Sequence, residues 1–498
     1  MADQKEVGYE RLGGKKLSLV DVVAQSVGFM GPVFSAAFLI PLIVGVTSAT
    51  GKGAGVAAPL SVLLGGVGVF ALGWIVAQYA KKIHAAGSLY DYVSHGLGSG
   101  VGAAAGWLYY SGIMVLDAGL GVLVGGYVHD TFFTSDPKVP GIFNVSSPLP
   151  SWGWSVLFAL LIFVVLYFGV QISTRVQLSL SLVSAAVVLA FFIKVIIDLG
   201  SANDVAKTFN PSSSPTGWSG ILFGVLYGVL IFVGFETAAN LGEETAKPKR
   251  DIPRAVLTSV VVVTIFYLIA AYTQVAGFGF DLKNIGAAAL APLFALGAPQ
   301  AVGGYGSDMT DKVLEVVVFL DILAVGVGAA VAGSRGVFAM ARDRRLPRPL
   351  ASVSAKYGTP TGAIILVTAV NFGFIALSQW TSLFSLPGNP HYFSIFVWAS
   401  TFGGFALLVV YLLMSVGAPM GLADTKNRVG VYVATVVGIA LTAGAIFFSF
   451  YKVTAPIVLA PWYAMGWFVV GIIVTLLVRG RAPASSVLTD LQETKADR

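Results

Sequence analysis

Apolar runs of about 20 residues recur from Leu19 to Val478, each long enough to cross a hydrocarbon layer roughly 30 Å thick. Lipid offers no partner to backbone N–H and C=O groups, so such runs fold as helices that satisfy themselves. Composition agrees, with 56% of the 498 residues hydrophobic, 11% charged and a mean hydropathy of +0.84. Length alone would suggest about three soluble domains of roughly 150 residues. The apolar runs leave no room for that division, and the expected fold class is an all-α polytopic membrane protein.

Twelve spans are read: 19–46, 54–80, 100–128, 152–172, 175–200, 217–242, 254–278, 313–341, 360–379, 393–418, 428–450 and 456–478. With the N-terminus inside, 23 of the 30 Lys and Arg residues fall on the cytoplasmic side and 7 outside, as the positive-inside rule requires. This places the tails 1–18 and 479–498 in the cytoplasm and the chain in the cytoplasmic membrane, in contact with its lipid. The first apolar run far exceeds a signal-peptide core of about 7–15 residues, so it is kept as a helix. The longest loops, 130–151, 201–216 and 280–311, are rich in Pro, Gly, Ser and Asn and read as irregular outer caps. Trp107, Tyr109, Tyr110, Trp152 and Trp154 stand near span ends and are read as interfacial anchors. Cysteine is absent, which excludes disulfides and thiolate metal sites, and no cofactor or metal is expected. The net charge of +6 follows from topology, so no nucleic-acid partner is expected either.

Two spans are interrupted. The stretch Gly220 to Ile252, GILFGVLYGVLIFVGFETAANLGEETAKPKRDI, is apolar like a spanning helix, yet it contains Gly224, Gly228, Gly234 and the carboxylate Glu236. The first span carries Gly28-Phe29-Met30-Gly31-Pro32 near its middle. Pro32 has no N–H to donate and Gly31 tolerates unusual dihedrals, so the helix breaks there. A break at mid-depth survives only where it lines a protein-enclosed cavity. Breaks in spans one and six hold corresponding positions if residues 19–200 and 217–418 form two five-span halves, with 428–478 adding two more helices. In secondary transporters the backbone groups freed at such paired breaks hold the cargo. The N–H groups of Gly28, Phe29, Met30 and Gly31 would face an anion, aided by the helix dipole. Carbonyls of Phe232, Val233 and Gly234 would accept from an ammonium. Together they describe a site for an α-amino acid zwitterion, although an isolated glycine in a membrane helix also serves plain packing.

Gly234 to Val256, GFETAANLGEETAKPKRDIPRAV, resembles the signature of the amino acid–polyamine–organocation superfamily of transporters. Ala80 to Gly98 and Ser334 to Pro347 are similar to its turn after span two and its end of span eight, with His84 where a proline is usual. The resemblance covers roughly residues 20 to 420. It implies a leucine-transporter-like fold of 12 transmembrane helices, with a 5+5 inverted repeat and two extra helices. It also implies a substrate carboxylate on the backbone of residues 28–31, an amine near Phe232, Val233 and Gly234, and Phe232 or Phe235 as an aromatic gate. This chain departs from the superfamily in reading Gly31-Pro32 where many members read Gly-x-Gly. Some members carry a lysine in span five whose counterpart here is Ser184, which leaves the coupling ion open.

Charged groups inside the membrane cost at least about 2.5–3.5 kcal/mol and so ask for a role. Glu236 is read either as a proton-coupling group or as a cap on the broken backbone. Asp117 either meets a substrate amine or bonds a neighbouring helix. Asp321 and Glu315 are read as structural groups near the outer surface. The charged block 243–251, with Arg335, Arg342, Asp343 and Arg344, is read as solvated cytoplasmic charge or as an inner gate of exposed pairs, each contributing about 0–1 kcal/mol. No hydrolase, zincin or P-loop pattern occurs, so no enzyme is expected. The expected function is amino acid transport by alternating access, coupled to protons. The alternatives are a polyamine or amine carrier, an exchanger, and a sensor, against which the short C-terminal tail argues.

Overall fold

The computed structural model describes residues 12, 16–45, 53–133, 141–288, 292–386, 389–451, 453 and 455–478. The C-terminal tail and most of the N-terminal one lie outside the described residues. In chain order the helices are α1 Leu19–Met30, α2 Pro32–Phe38, α3 Ile40–Val44, α4 Ala58–Ala80, α5 Leu89–Leu97 and α6 Ser99–Tyr127. There follow α7 Ser151–Tyr167, α8 Val170–Leu199, α9 Val205–Thr208, α10 Trp218–Leu230, α11 Pro248–Ala276 and α12 Leu282–Ala287. The last six are α13 Pro292–Gly297, α14 Asp308–Arg342, α15 Thr361–Trp380, α16 His391–Gly421, α17 Arg428–Phe450 and α18 Leu459–Val478.

Among the described residues, ten helical segments are long and apolar enough to cross a membrane, counting α1 with α2 as one. Two shorter apolar helices, α7 and α10, lie where the sequence places spans four and six. The chain is an integral membrane protein. Its charge is uneven: the start of α1, the α4–α6 turn, the start of α11 and the end of α14 gather Lys and Arg at one end, called here the basic end. There α5, a short helix outside the spanning set, packs on α6 and α16.

The interior is built around α1. It packs on α8, α11 and α14, while α6 lies along α16 and α4 along α11. Peripheral α17 and α18 expose large side chains such as Val436, Trp462 and Leu477, as helices facing lipid do. Tyr109 and Tyr110 are not interfacial: α6 begins at Ser99, ten residues earlier, so both rings lie deep and are buried. Trp152, at the start of α7, is 48% exposed and does occupy a helix end.

Candidate functional site

Both interruptions are real breaks, and they meet. Gly31 closes α1 in the left-handed region, φ +54°, and Pro32 opens α2 at its first position. Past α10 the chain runs through turns from Ile231 to Glu236, with Gly234 at φ +110°, and resumes as a 3-10 helix over Thr237–Leu241. The Phe29 ring packs directly on Gly234. Ser26 Oγ donates to Phe235 O at 2.8 Å and accepts from Ala238 N at 3.2 Å. The Tyr267 hydroxyl of α11 lies between the two broken ends, 2.6 Å from Ile231 O and 3.1 Å from Met30 O.

The donors freed by the break are Val33 and Phe34 rather than residues 28–31. Gly31 N remains bonded to Val27 O at 3.2 Å, within the α1 register. Pro32 has no N–H, so the unpaired donors of α2 are Val33 and Phe34. Both donate to Asp321 Oδ2 at 2.8 Å, and Ser181 Oγ donates to Oδ1 at 3.0 Å. Asp321, expected near the outer surface, is fully buried at the break itself. Two of the three expected carbonyls also have partners: Phe232 O accepts from Phe235 N at 3.1 Å, and Gly234 O from Thr237 Oγ1 at 2.7 Å.

The remaining candidates separate. Glu236 is fully buried; Tyr109 donates to its Oε1 at 2.7 Å, the Tyr411 hydroxyl sits beside the carboxylate, and Oε2 makes no hydrogen bond of its own. Asp117 faces α15, where Asn371 Nδ2 donates to Oδ2 at 2.8 Å, and its Oδ1 is buried without a hydrogen bond. Phe232 packs on Tyr267 with ring centres 5.2 Å apart, and Phe235 on Tyr411 at 5.5 Å. The ring packed on Gly234 is that of Phe29. Met30 and Val233 are buried beside it.

The sequence reading did not find Tyr267, Ser181 or Gln177. Gln177 lies where any side chain on Gly28 or Gly328 would collide with it, and its Nε2 donates to Ala324 O at 3.1 Å. A signal was present: Thr174, Gln177, Ser181 and Ser184 recur at helical spacing on α8, and all are buried.

Two closures flank the site. At the basic end Arg335 and Glu244 form a buried pair, Nε to Oε2 3.0 Å, with side chains 0% and 3% exposed. Arg342 pairs with Glu243 at 2.8 Å, Ala86 N donates to Glu243 Oε1, and Tyr90 donates to Asp343 at 2.9 Å. Leu17 seals the cluster from outside by bridging to Thr245, with Leu17 N on Glu244 O at 2.8 Å. The central pair is thus interior rather than exposed, with Leu17 bonded to the Glu244 backbone and the 3-10 helix packed on α14. At the opposite end the closure is aromatic: Phe34 meets Phe396 at 5.4 Å, and Phe38 meets Tyr127 at 6.1 Å and Phe393 at 6.2 Å.

On α5, Asp91 is buried with Oδ2 unbonded. Burial first, then the like charges of Asp343 and Glu243, push its carboxyl well above the ordinary carboxylate range, against the pull of Arg342. A carboxyl raised in the fold opposes stability wherever the unfolded chain would be ionised, so this packing weakens as pH rises above about 4. Asp91→Asn is therefore expected to raise the unfolding temperature by a few degrees near neutral pH. That gain should vanish near pH 4. A gain independent of pH would mean that charge is not the cause.

The profile of the amino acid permease family matches residues 27–489. The chain belongs to the amino acid permease family. Its relatives include a vacuolar cationic amino acid transporter of Arabidopsis thaliana, 26% identical over 75% of this chain and 60% of the relative. A branched-chain amino acid permease of Lactococcus lactis is 26% identical over 62% of this chain and 68% of its own. A methylthioribose transporter of Bacillus subtilis is 25% identical over 69% and 73%. The match to the plant relative thus leaves two-fifths of that protein unpaired. Both breaks and the Arg335–Glu244 pair lie inside the matched residues.

Proposed function

We propose that the chain is a secondary active transporter that moves amino acids, or the amines related to them, across the cytoplasmic membrane by alternating access. One observation carries the reading: the breaks of α1 and of the α10 segment lie face to face, joined by Phe29 on Gly234 and by one tyrosine shared between both broken ends. Paired breaks at mid-depth are the layout in which a transporter holds cargo between two repeats. Residues 19–200 and 217–418 are the two inverted halves, residues 428–478 add two outer helices, and the basic end is cytoplasmic, with both termini there.

Transport proceeds by loosening one closure while the other holds. The ionic closure opens toward the cytoplasm and the aromatic one toward the outside. Glu236 is the proton-coupling group. It sits on the broken stretch, is bonded to α6 through Tyr109, and has the Tyr411 hydroxyl of α16 beside its carboxylate. The relative named for methylthioribose is evidence that this scaffold also serves other cargo in other proteins.

Uptake by purified protein in proteoliposomes tests the reading, using labelled amino acids and amines under an inward proton gradient, a sodium gradient, or neither. Accumulation driven by protons is expected. Glu236→Gln is expected to stop accumulation while leaving exchange of internal for external cargo. Accumulation that survives in Glu236→Gln would remove the coupling role, and binding without movement would overturn transport.

A further inference from the structure

We propose that Asp321 is the specificity-determining residue of the break, supplying from the protein itself the carboxylate that an amino acid would bring, so that the preferred cargo is an organic amine without a carboxylate. The proposal rests on the transport reading for its setting and narrows the cargo within it.

The geometry is direct. Once α1 ends at Gly31 and proline takes the first position of α2, the break has two unpaired backbone donors, Val33 and Phe34, and both are bonded to Asp321 Oδ2 at 2.8 Å. Ser181 fixes the other oxygen at 3.0 Å. A zwitterion reaching this point would have to displace a buried carboxylate from three hydrogen bonds to gain the same two donors. It would also bring a second negative charge beside a carboxylate that already uses the donors of the break. Hydrogen bonds to charged groups are the strong ones, so the exchange is costly.

Charge balance points the same way. Asp117, Glu236 and Asp321 are all buried, whereas among the described residues the buried basic side chains are Arg335 and Arg345, both near the basic end of α14. Arg335 is already committed to Glu244. Asp117 Oδ1 is a buried acceptor that makes no hydrogen bond, and Glu236 Oε2 has the Tyr411 hydroxyl beside its carboxylate. A protein interior with three carboxylates and an unused acceptor is complementary to a positive cargo, and an α-carboxylate on that cargo would cancel the complementarity.

Binding and exchange by the full chain in proteoliposomes decide it, using matched pairs: leucine with 3-methylbutylamine, ornithine with putrescine, and lysine with cadaverine. In the natural protein each amine is expected to bind at least about tenfold more tightly than its amino acid. Asp321→Asn keeps an acceptor for the two N–H groups but removes the charge, and is expected to shrink that ratio roughly tenfold. Ser181→Ala, which loosens Asp321 without altering the charge, is expected to shrink it less, and it carries the test if Asp321→Asn does not fold. Amino acids bound as well as or better than their amines would overturn the proposal while leaving transport intact. So would a ratio unchanged in both variants. Amines bound but not moved would overturn transport and leave the proposal standing. No binding of either class would overturn it.

Discussion

Glu244→Ala is expected to cost about 3–5 kcal/mol of stability and to abolish vectorial uptake. The guanidinium of Arg335 is fully buried, and its Nε and Nη2 point at the two oxygens of Glu244, at 3.0 and 3.4 Å. Ser334 accepts the bond from Nη1 at 3.3 Å, so removing Glu244 leaves a buried cation with one neutral partner. An exposed pair would contribute only about 0–1 kcal/mol, and the two magnitudes are far enough apart to tell the cases apart. Thermal unfolding of the detergent-solubilised protein reads the first effect and proteoliposome uptake the second. The double replacement Glu244→Leu, Arg335→Met should recover much of the stability, since a buried pair is often no better than its apolar isostere. It should not recover transport if the pair is the closure that must break and re-form. A loss under about 0.5 kcal/mol in Glu244→Ala would show that the pair is solvated and carries no gate.

The difference between that pair and the sequence reading of it shows where sequence reasoning stops. The spans were legible because lipid imposes a length and forbids unpaired backbone, and both constraints are written residue by residue. The breaks were legible for the same reason: Gly31-Pro32 and Gly234 change what the backbone can do where they stand. Burial of charge is different, because it depends on which elements cover it. Glu244 and Arg335 are 91 positions apart, and nothing local says that they meet in the interior or that Leu17 bonds beside them. Depth along a span is less legible than the span itself. Asp321 reads from sequence as close to the outer surface, but α14 begins at Asp308 and the carboxylate lies thirteen residues in, at the break. Tyr109 was assigned to the interface, yet it holds Glu236. Partner identity is the least legible quantity, since Asp321 could be recognised as costly from sequence, but not as the group that fills α2.

Gly234→Ala is expected to reduce transport by one to two orders of magnitude while leaving the protein folded. Residue 234 has φ +110°, where an alanine side chain is strained at a cost on the order of 1–3 kcal/mol. A Cβ there would also stand 2.9 Å from Phe29 Cβ and 2.8 Å from Cγ, and Phe29 Cβ is fixed to the α1 backbone and cannot swing aside. Each 1.4 kcal/mol that falls on the state with the breaks joined, and not on states with them apart, is about a tenfold loss in that population. Gly373→Ala on α15 is the control, since a Cβ there meets nothing within 4 Å. Phe29→Ala combined with Gly234→Ala separates the two causes, because Cβ remains while the ring is lost. Recovery in the double variant would assign the defect to the ring, and a persistent defect would assign it to the dihedral and the Cβ contact. Wild-type uptake in Gly234→Ala would mean that the broken segments need not touch during the cycle, and the observation on which the transport reading rests would lose its meaning.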